Sequence, residues 1–458
     1  MEEALHEAVE RMLSLGAEFC DARYQTVHRL NIMMVDAGVR SLTEETTGGV
    51  CLRARIAGSW GYVSTVSVDK DGMLEGAMKA VKNARHGTSK GKRIPELKPI
   101  RGTYKAQLKI NPEDVPLEEK LELVKDLDKA QKTSEKIVNT NAFYNETIKR
   151  SWLVNSFSTS LAWEEARGRA IAQPIASDGS KVEVFYHITD GTGGFEKFKS
   201  LDVSKIGRTC ANEAIQLLSA KKCPSGYHTC ISDPTISGLL AHEVMGHASE
   251  ADEIVKRRSF LTGAVGQKVA SEQITMVDDG TVEGAYGRIP FDDEGVPASR
   301  TVIIDKGVYR GYMQSLETAS EMGVKPTGNG RAQDPARRVL VRMTNTFFEA
   351  GDWELEEMIE DVKFGVIADH SISGMEDPVG GGFEAKALRG FLIENGKITD
   401  VLRGFALTGK ALEILKTTDA VGKKVRLDGG TCGKGIEDFI PVSSGGPYCR
   451  SKMIIGGG

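Results

Sequence analysis

Apolar positions recur at helical spacing over residues 2–15, where Leu5, Ala8, Val9, Met12 and Leu13 form one stripe that stops at Gly16. The pattern then shifts to short apolar and β-branched runs between glycine-containing breaks, which predicts strands over 30–35, 50–56 and 60–66. Helical spacing returns over 73–84, 118–138 and 203–218. Between the last two, residues 153–175 and 182–188 read as strands joined through Asp178-Gly179-Ser180. Residues 90–104 are basic, contain Pro95 and Pro99, and read as a solvated linker.

The stretch 221–225, with Pro224, marks a change of pattern. Beyond it lies one strong helix over 236–254, then many short β-rich segments divided by glycine: 300–304, 308–313, 339–345, 363–367, 391–394 and 397–401. Asn395-Gly396 supplies a hairpin turn between the last two, and Asp305-Lys306-Gly307 a looser one. The chain therefore reads as an α+β protein of two domains. Residues 1–220 form a mixed α/β-type domain, and 221–458 a domain rich in antiparallel sheet that carries one helix.

Composition narrows the picture. The 458 residues are 40% hydrophobic and 27% charged, which excludes disorder as the dominant state. A net charge of −5 gives no overall basic field for nucleic acid or an anionic membrane. No apolar run approaches the roughly 20 residues of a membrane span, and the N-terminus opens acidic instead of with a basic leader, so a soluble cytoplasmic protein is expected. Seven thinly spread Cys suit reduced thiols better than a disulfide framework. The 51 glycines, about 11% against a usual 7%, crowd the second half and call for tight turns.

Only eight His occur, yet two stand in Ala241-His242-Glu243-Val244-Met245-Gly246-His247. A His-Glu-x-x-x-His string is expected by chance on the order of 0.01 times in such a chain. In the familiar His-Glu-x-x-His helix the two rings are four residues apart, roughly 40° around the axis, and share one zinc ion. A five-residue spacing gives about 140° in a regular helix, so the rings diverge. A π-type turn, which closes i to i+5, returns them to one face, and Gly246 predicts where the helix is distorted. Without that turn they are ordinary histidines on an amphipathic helix with Ile236, Leu239, Leu240 and Val244.

Two His do not close a site. Candidates for a third ligand are Glu250, Asp252, Asp292, Asp293, Glu294, Cys223, Cys230 with His228, Cys432 and Cys449. Cys432 stands out within Gly429-Gly430-Thr431-Cys432-Gly433-Lys434-Gly435, a flexible loop in which Lys434 favours a thiolate. Cys223 and Cys230 match no common zinc spacing. Cys449 reads as a buried thiol, Asp292 to Glu294 as a charged turn with no assigned role, and Lys434 and Tyr286 as guesses for oxyanion contacts.

At this point the chain resembles the TldD/PmbA family, and within it the TldD branch, which carries a His-Glu-x-x-x-His metallopeptidase motif. Similar strings run in order through the second half: Phe291-Asp292-Asp293-Glu294-Gly295-Val296-Pro297, Gly311-Tyr312-Met313, Thr327-Gly328-Asn329-Gly330-Arg331, Arg342-Met343-Thr344-Asn345-Thr346, Gly380-Gly381-Gly382-Phe383 and Thr431-Cys432-Gly433-Lys434. The likeness covers about 220–450, and the N-terminal domain by general layout. It implies a peptidase with one zinc per chain on His242, His247 and Cys432, with Glu243 as general base. It also implies a dimer, of two like chains or with a PmbA-type partner lacking the metal motif, and small or unfolded extended peptides as substrates. The residues suit that chemistry: two imidazoles and a thiolate leave tetrahedral zinc an open position, with Glu243 placed to move the proton of an attacking water. A sheet-rich domain can hold a peptide as an added strand.

One departure stands out. Family members follow Cys-Gly-Lys with a Gly-Gln pair, whereas here Gly435 leads into Ile436-Glu437-Asp438. The competing class is a non-catalytic peptide-binding or regulatory protein whose zinc is structural. A nucleic-acid role, suggested by historical naming in the family, has no support in the charge. A Ser-His-Asp hydrolase around His370 lacks a Gly-x-Ser-x-Gly elbow, no Gly-Lys pair completes a P-loop, and Gly191-Thr192-Gly193-Gly194 lacks the helix that dinucleotide binding needs.

Overall fold

The computed structural model describes residues 1–87, 91–377, 379–435 and 439–456. The first half is built on one long antiparallel sheet. Strands Phe19–Val35 and Gly38–Ile56 form a hairpin, flanked by Ser59–Thr65 on one side and by Asn141–Asn155, Ser160–Ala172 and His187–Thr192 on the other. Helix Glu2–Ser14 buries its predicted stripe of Leu5, Ala8, Val9 and Met12 against this sheet together with helix Lys70–Arg85. Helices Leu117–Lys129 and Val203–Leu217 pack near its other end.

Several of these elements differ in length from the sequence reading. The hairpin is more than twice as long as its predicted strands because residues 38–48 are exposed on both faces, so no two-residue alternation marks them. The helix expected over 118–138 stops at Lys129, and Ile137–Asn139 is a strand. Buried Gln131 closes that end by donating to the carbonyls of Leu127 and Asn141. The run 153–175 is broken by a turn in which Ser158 takes a left-handed φ of 64°. Of the expected linker 90–104, Lys90 lies outside the described residues, Ile94 is buried in a small apolar cluster, and Arg101–Tyr104 adds a parallel strand beside Ser160–Ala172.

The second half holds two large sheets and a short two-stranded one, Gly330–Arg331 with Leu340–Val341. Strands Gly226–Ser232, Phe364–Asp377, Gly382–Glu394, Lys397–Lys410 and Cys449–Gly456 pair in sequence around a ring, and the last also pairs with the first, closing a five-stranded barrel. Four of the five pairings are antiparallel. The Asn395-Gly396 turn has φ of 49° and 76°, the mirror-image turn that only such residues adopt readily. The second sheet, with Arg300–Asp305, Met276–Asp279, Asn345–Phe348, Ile440–Gly446 and Arg426–Cys432 in order, ends on Arg426–Cys432 at its edge. The segment Pro234–Gly246 lies between the two sheets, in one core with Val366, Ala385 and Leu407 of the barrel and Val442 of the second sheet.

Asp292, Asp293 and Glu294 are not an exposed turn. All three are buried, and their oxygens are fully engaged. Asp293 accepts from Gln25 (2.7 Å), Lys149 (2.8 Å) and the Ala332 N–H (2.8 Å), Glu294 from Arg53 (2.8 Å), and Asp292 from three main-chain N–H groups. Charged side chains of the first sheet are thus matched by carboxylates of the second half, which fixes one half against the other. Among the described residues no helix is long and apolar enough to cross a membrane.

Candidate metal centre

The site begins with a helix cap. Asp233 follows strand Gly226–Ser232, and its side chain accepts the N–H groups of Thr235 (3.1 Å) and Ile236 (3.0 Å), while Pro234 occupies the first turn, where it has no N–H to waste. Helix Pro234–Leu239 then widens into a π turn over Leu240–Gly246, and the His247 N–H donates to the carbonyl of His242, the i to i+5 bond that the spacing calls for. Gly246 is needed for packing too: a Cβ there would lie 2.2 Å from Met343 Sδ. The helix expected over 236–254 is therefore interrupted, and Ala251–Val255 is a separate short piece.

The wide turn brings the rings of His242 and His247 to 5.2 Å between centroids, at 82°. Cys432, the last residue of the edge strand Arg426–Cys432, places Sγ 3.5 Å from His247 Nε2. One donor atom from each of the three lies within 4.8 Å of the others, and all three residues are buried. Burial opposes the Cys432 thiolate, but the two imidazoles outweigh it and hold the thiol at about 5.

A further layer orients the donors. His247 Nδ1 is 3.1 Å from Glu250 Oε2, which turns Nδ1 toward the carboxylate and Nε2 toward Cys432. Burial works against the Glu250 charge, yet Lys434 (2.9 Å) and His247 bring its carboxyl down to about 2. Arg342 donates to the Cys432 carbonyl at 2.8 Å. Glu243 is the most solvent-facing member of the group, with Oε2 4.0 Å from His247 Nε2 and its Cγ 3.1 Å from where a Cβ on Gly374 would stand.

The donor set fits a divalent zinc-like ion. It combines a thiolate and two imidazoles, excludes fixed cations from the donor atoms, and contains a buried ring nitrogen, His242 Nδ1, with no hydrogen-bond partner. The other sequence candidates stand elsewhere. Burial pushes the thiols of Cys223, Cys230 and Cys449 up to about 12, and none of them joins the cluster. Asp252 pairs with Lys434 (2.7 Å). Lys434 is no oxyanion contact, because its three N–H bonds go to Glu250, Asp252 and the Val341 carbonyl. The guanidinium groups of Arg167 and Arg169 stand 5.7 and 4.6 Å from the Tyr286 ring centroid, and Tyr286 lines a neighbouring cavity of about 990 Å³. Residues 436–438, where the sequence departs from the family pattern, lie outside the described residues.

Sequence reasoning missed two features. Glu250 was weighed as a ligand, whereas it orients one; its place three residues after His247, one turn along a helix, was the available signal. A second ligand-type group, Asp233, Asp369 and His370, forms at the other end of the same helix, and only Asp369-His370 adjacency hinted at it.

Fold and donor set define a mixed α/β protein with a buried, carboxylate-flanked cluster of three ligand-type side chains. Sequence profiles described as PmbA/TldA metallopeptidase domain 1, central domain and C-terminal domain match residues 20–87, 110–218 and 182–457. The chain belongs to the PmbA/TldD family of metallopeptidases. It is 35% identical to a metalloprotease of Methanocaldococcus jannaschii over 98% of this chain and 99% of that one. It is 24% identical to a zinc metalloprotease TldD homolog of Saccharolobus solfataricus over 98% and 99%. Its fold matches that of TldE from Thermococcus kodakarensis with a TM-score of 0.79 at 19% identity, covering 99% of this chain and all of that one.

Proposed function

We propose that the protein is a zinc-dependent peptidase acting on small or unfolded extended peptides, with one zinc on His242, His247 and Cys432 and Glu243 as general base. The observation that carries this reading is the convergence of three soft and borderline donors within 4.8 Å, with the Glu243 carboxylate 4.0 Å from one of them on the open side. Zinc bound there supplies a Lewis acid that polarises a peptide carbonyl and acidifies water. Glu243 accepts the proton of the attacking water on a carboxylate oxygen and returns it to the leaving amine. Glu250 holds the His247 ring through Nδ1, and Arg342 fixes the main chain of Cys432, so the donors are held in place. Seven free cysteines support a reducing compartment such as the cytoplasm. The same reading carries a dimer, of like chains or with a PmbA-type partner, which gel-filtration mass measures.

Glu243→Gln tests the reading. Zinc content should stay at that of the wild type while cleavage of an unfolded peptide falls by about 10²–10⁴-fold. Retained cleavage overturns the base assignment. Wild-type protein that neither contains nor takes up zinc overturns the site, and zinc without any peptide cleavage leaves the binding-protein class.

A further inference from the structure

Next to the metal cluster, the cavity of about 990 Å³ lies between the face of the first sheet and the second half, and it reaches Thr431 and Ile440, the sequence neighbour and the register partner of Cys432. Its volume is at the upper end of the roughly 300–1,000 Å³ of ligand pockets. Its wall mixes cations, Arg29, Lys149, Arg167 and Arg331, with the carboxylates Glu165, Asp293 and Asp334. Asp293 serves Arg23 (3.3 Å) and Lys149 (2.8 Å), and Glu165 serves Arg167 and, at 3.6 Å, Lys149.

Arg331 is buried on the same wall and has no carboxylate among the described residues within salt-bridge distance. Its guanidinium donates to the carbonyl of Met343 (2.5 Å) and to that of Pro441 (2.8 Å), the residue paired with Thr431. Burial and the nearby charge of Arg167 push its pKa down to about 10, against the more distant carboxylates of Glu165 and Asp293. An ionised group out of water is stable only when paired, and a guanidinium fork matches a carboxylate in shape. Arg331 thus stands on the cavity wall against Pro441, whose register partner Thr431 directly precedes the cysteine of the cluster.

We propose that this cavity seats a carboxylate of the peptide substrate on Arg331, which makes the enzyme selective for peptides with an anionic group a short distance from the cleaved bond. This rests on the peptidase reading above. The carboxylate has two sources, the free C-terminus of the peptide or an Asp or Glu side chain, and both have the same chemistry.

The test uses zinc-loaded full-length Glu243→Gln protein and three N-terminally fluorescein-labelled hexapeptides, read by fluorescence anisotropy. One ends in a free carboxylate, the second is its amide, and the third is an amide with one internal Glu. The free acid should bind about tenfold more tightly than the plain amide, as a single charge-assisted contact implies. An internal Glu that restores the affinity assigns the seat to a side chain; failure to restore it assigns the seat to the C-terminus. Arg331→Gln, which keeps two N–H donors, should erase the difference between acid and amide with zinc content unchanged, and Arg331→Lys should keep part of it. Equal binding of all three peptides to protein that retains Arg331 overturns the proposal and leaves the peptidase reading standing. No binding of any peptide by zinc-loaded protein overturns both.

Discussion

Two groups of three ligand-type side chains stand at opposite ends of the segment Pro234–Gly246, and they differ in the charges that face their donor atoms. At the C-terminal end, His242, His247 and Cys432 direct donor atoms at one another, and the charges nearby act behind them, through Glu250 and Lys434. At the N-terminal end, Asp233, Asp369 and His370 are equally close, but a guanidinium already stands against each carboxylate. Asp233 caps the helix with one oxygen and faces Arg426 (3.5 Å) with the other. Asp369 holds Arg389 through two N–H bonds of 2.8 and 2.6 Å and His370 at 3.1 Å. Proximity of ligand residue types is therefore a weak criterion. Whether a fixed cation already faces the donors is a stronger one, as Arg426 and Arg389 do at the N-terminal end.

The largest expected effect separates the two ends outright. Cys432→Ser and His247→Ala should each remove the bound zinc, about one per chain in the wild type, and with it all peptide cleavage, whereas Asp369→Asn should leave zinc content as it was. Elemental analysis decides it, and zinc lost from Asp369→Asn but kept by Cys432→Ser inverts the comparison. Next in size is the cost of loosening the N-terminal clamp. Asp369 and Arg389 are both buried, so Asp369→Asn leaves a guanidinium short of its partner and should lower stability by about 3 kcal/mol in urea unfolding. Glu213 also contacts Arg389, and a loss below about 1 kcal/mol would show that this second carboxylate suffices and that Asp369 is no clamp.

The C-terminal end was more legible in the sequence than the N-terminal one, for a physical reason. His242, Glu243 and His247 lie within six positions, so their relation is local and the only geometric question, the five-residue gap, has one solution in a π turn. Cys432 is 185 residues from His247 and needed the family resemblance, because spacing could not choose it over Cys449. Asp233 and Asp369 are brought together by a parallel pairing of Ser232 with Ala368, which leaves no periodic trace in either segment. The same limit applies to the fold. Buried stripes such as Leu5, Ala8, Val9 and Met12 were readable, but the long exposed hairpin arm over 38–48 and the buried Asp292–Glu294 carboxylates were not, since exposure on two faces erases alternation and burial by ion pairing looks polar in sequence.

Two smaller effects sharpen the contrast. Glu250→Gln keeps an acceptor for His247 Nδ1 but loses the charge that Lys434 balances, so zinc affinity in a chelator competition should fall about 10–100-fold with the three donors intact. An unchanged affinity would mean that the ring is oriented by packing alone.

The smallest effect is at Asp233. Asn caps a helix as well as Asp does, so Asp233→Asn should lose only the 3.5 Å contact with a half-exposed Arg426, less than about 1 kcal/mol in urea unfolding, with zinc content unchanged. Asp233→Ala removes the cap as well and should cost about 1 kcal/mol more. If the π turn depended on the cap, that variant would also bind zinc more weakly. Leu240, Val244 and Met245 anchor the turn in the core between barrel and second sheet independently of the first turn, so zinc affinity should hold while the N-terminal turn frays, and a parallel fall in both would show that the two ends of the segment act as one unit.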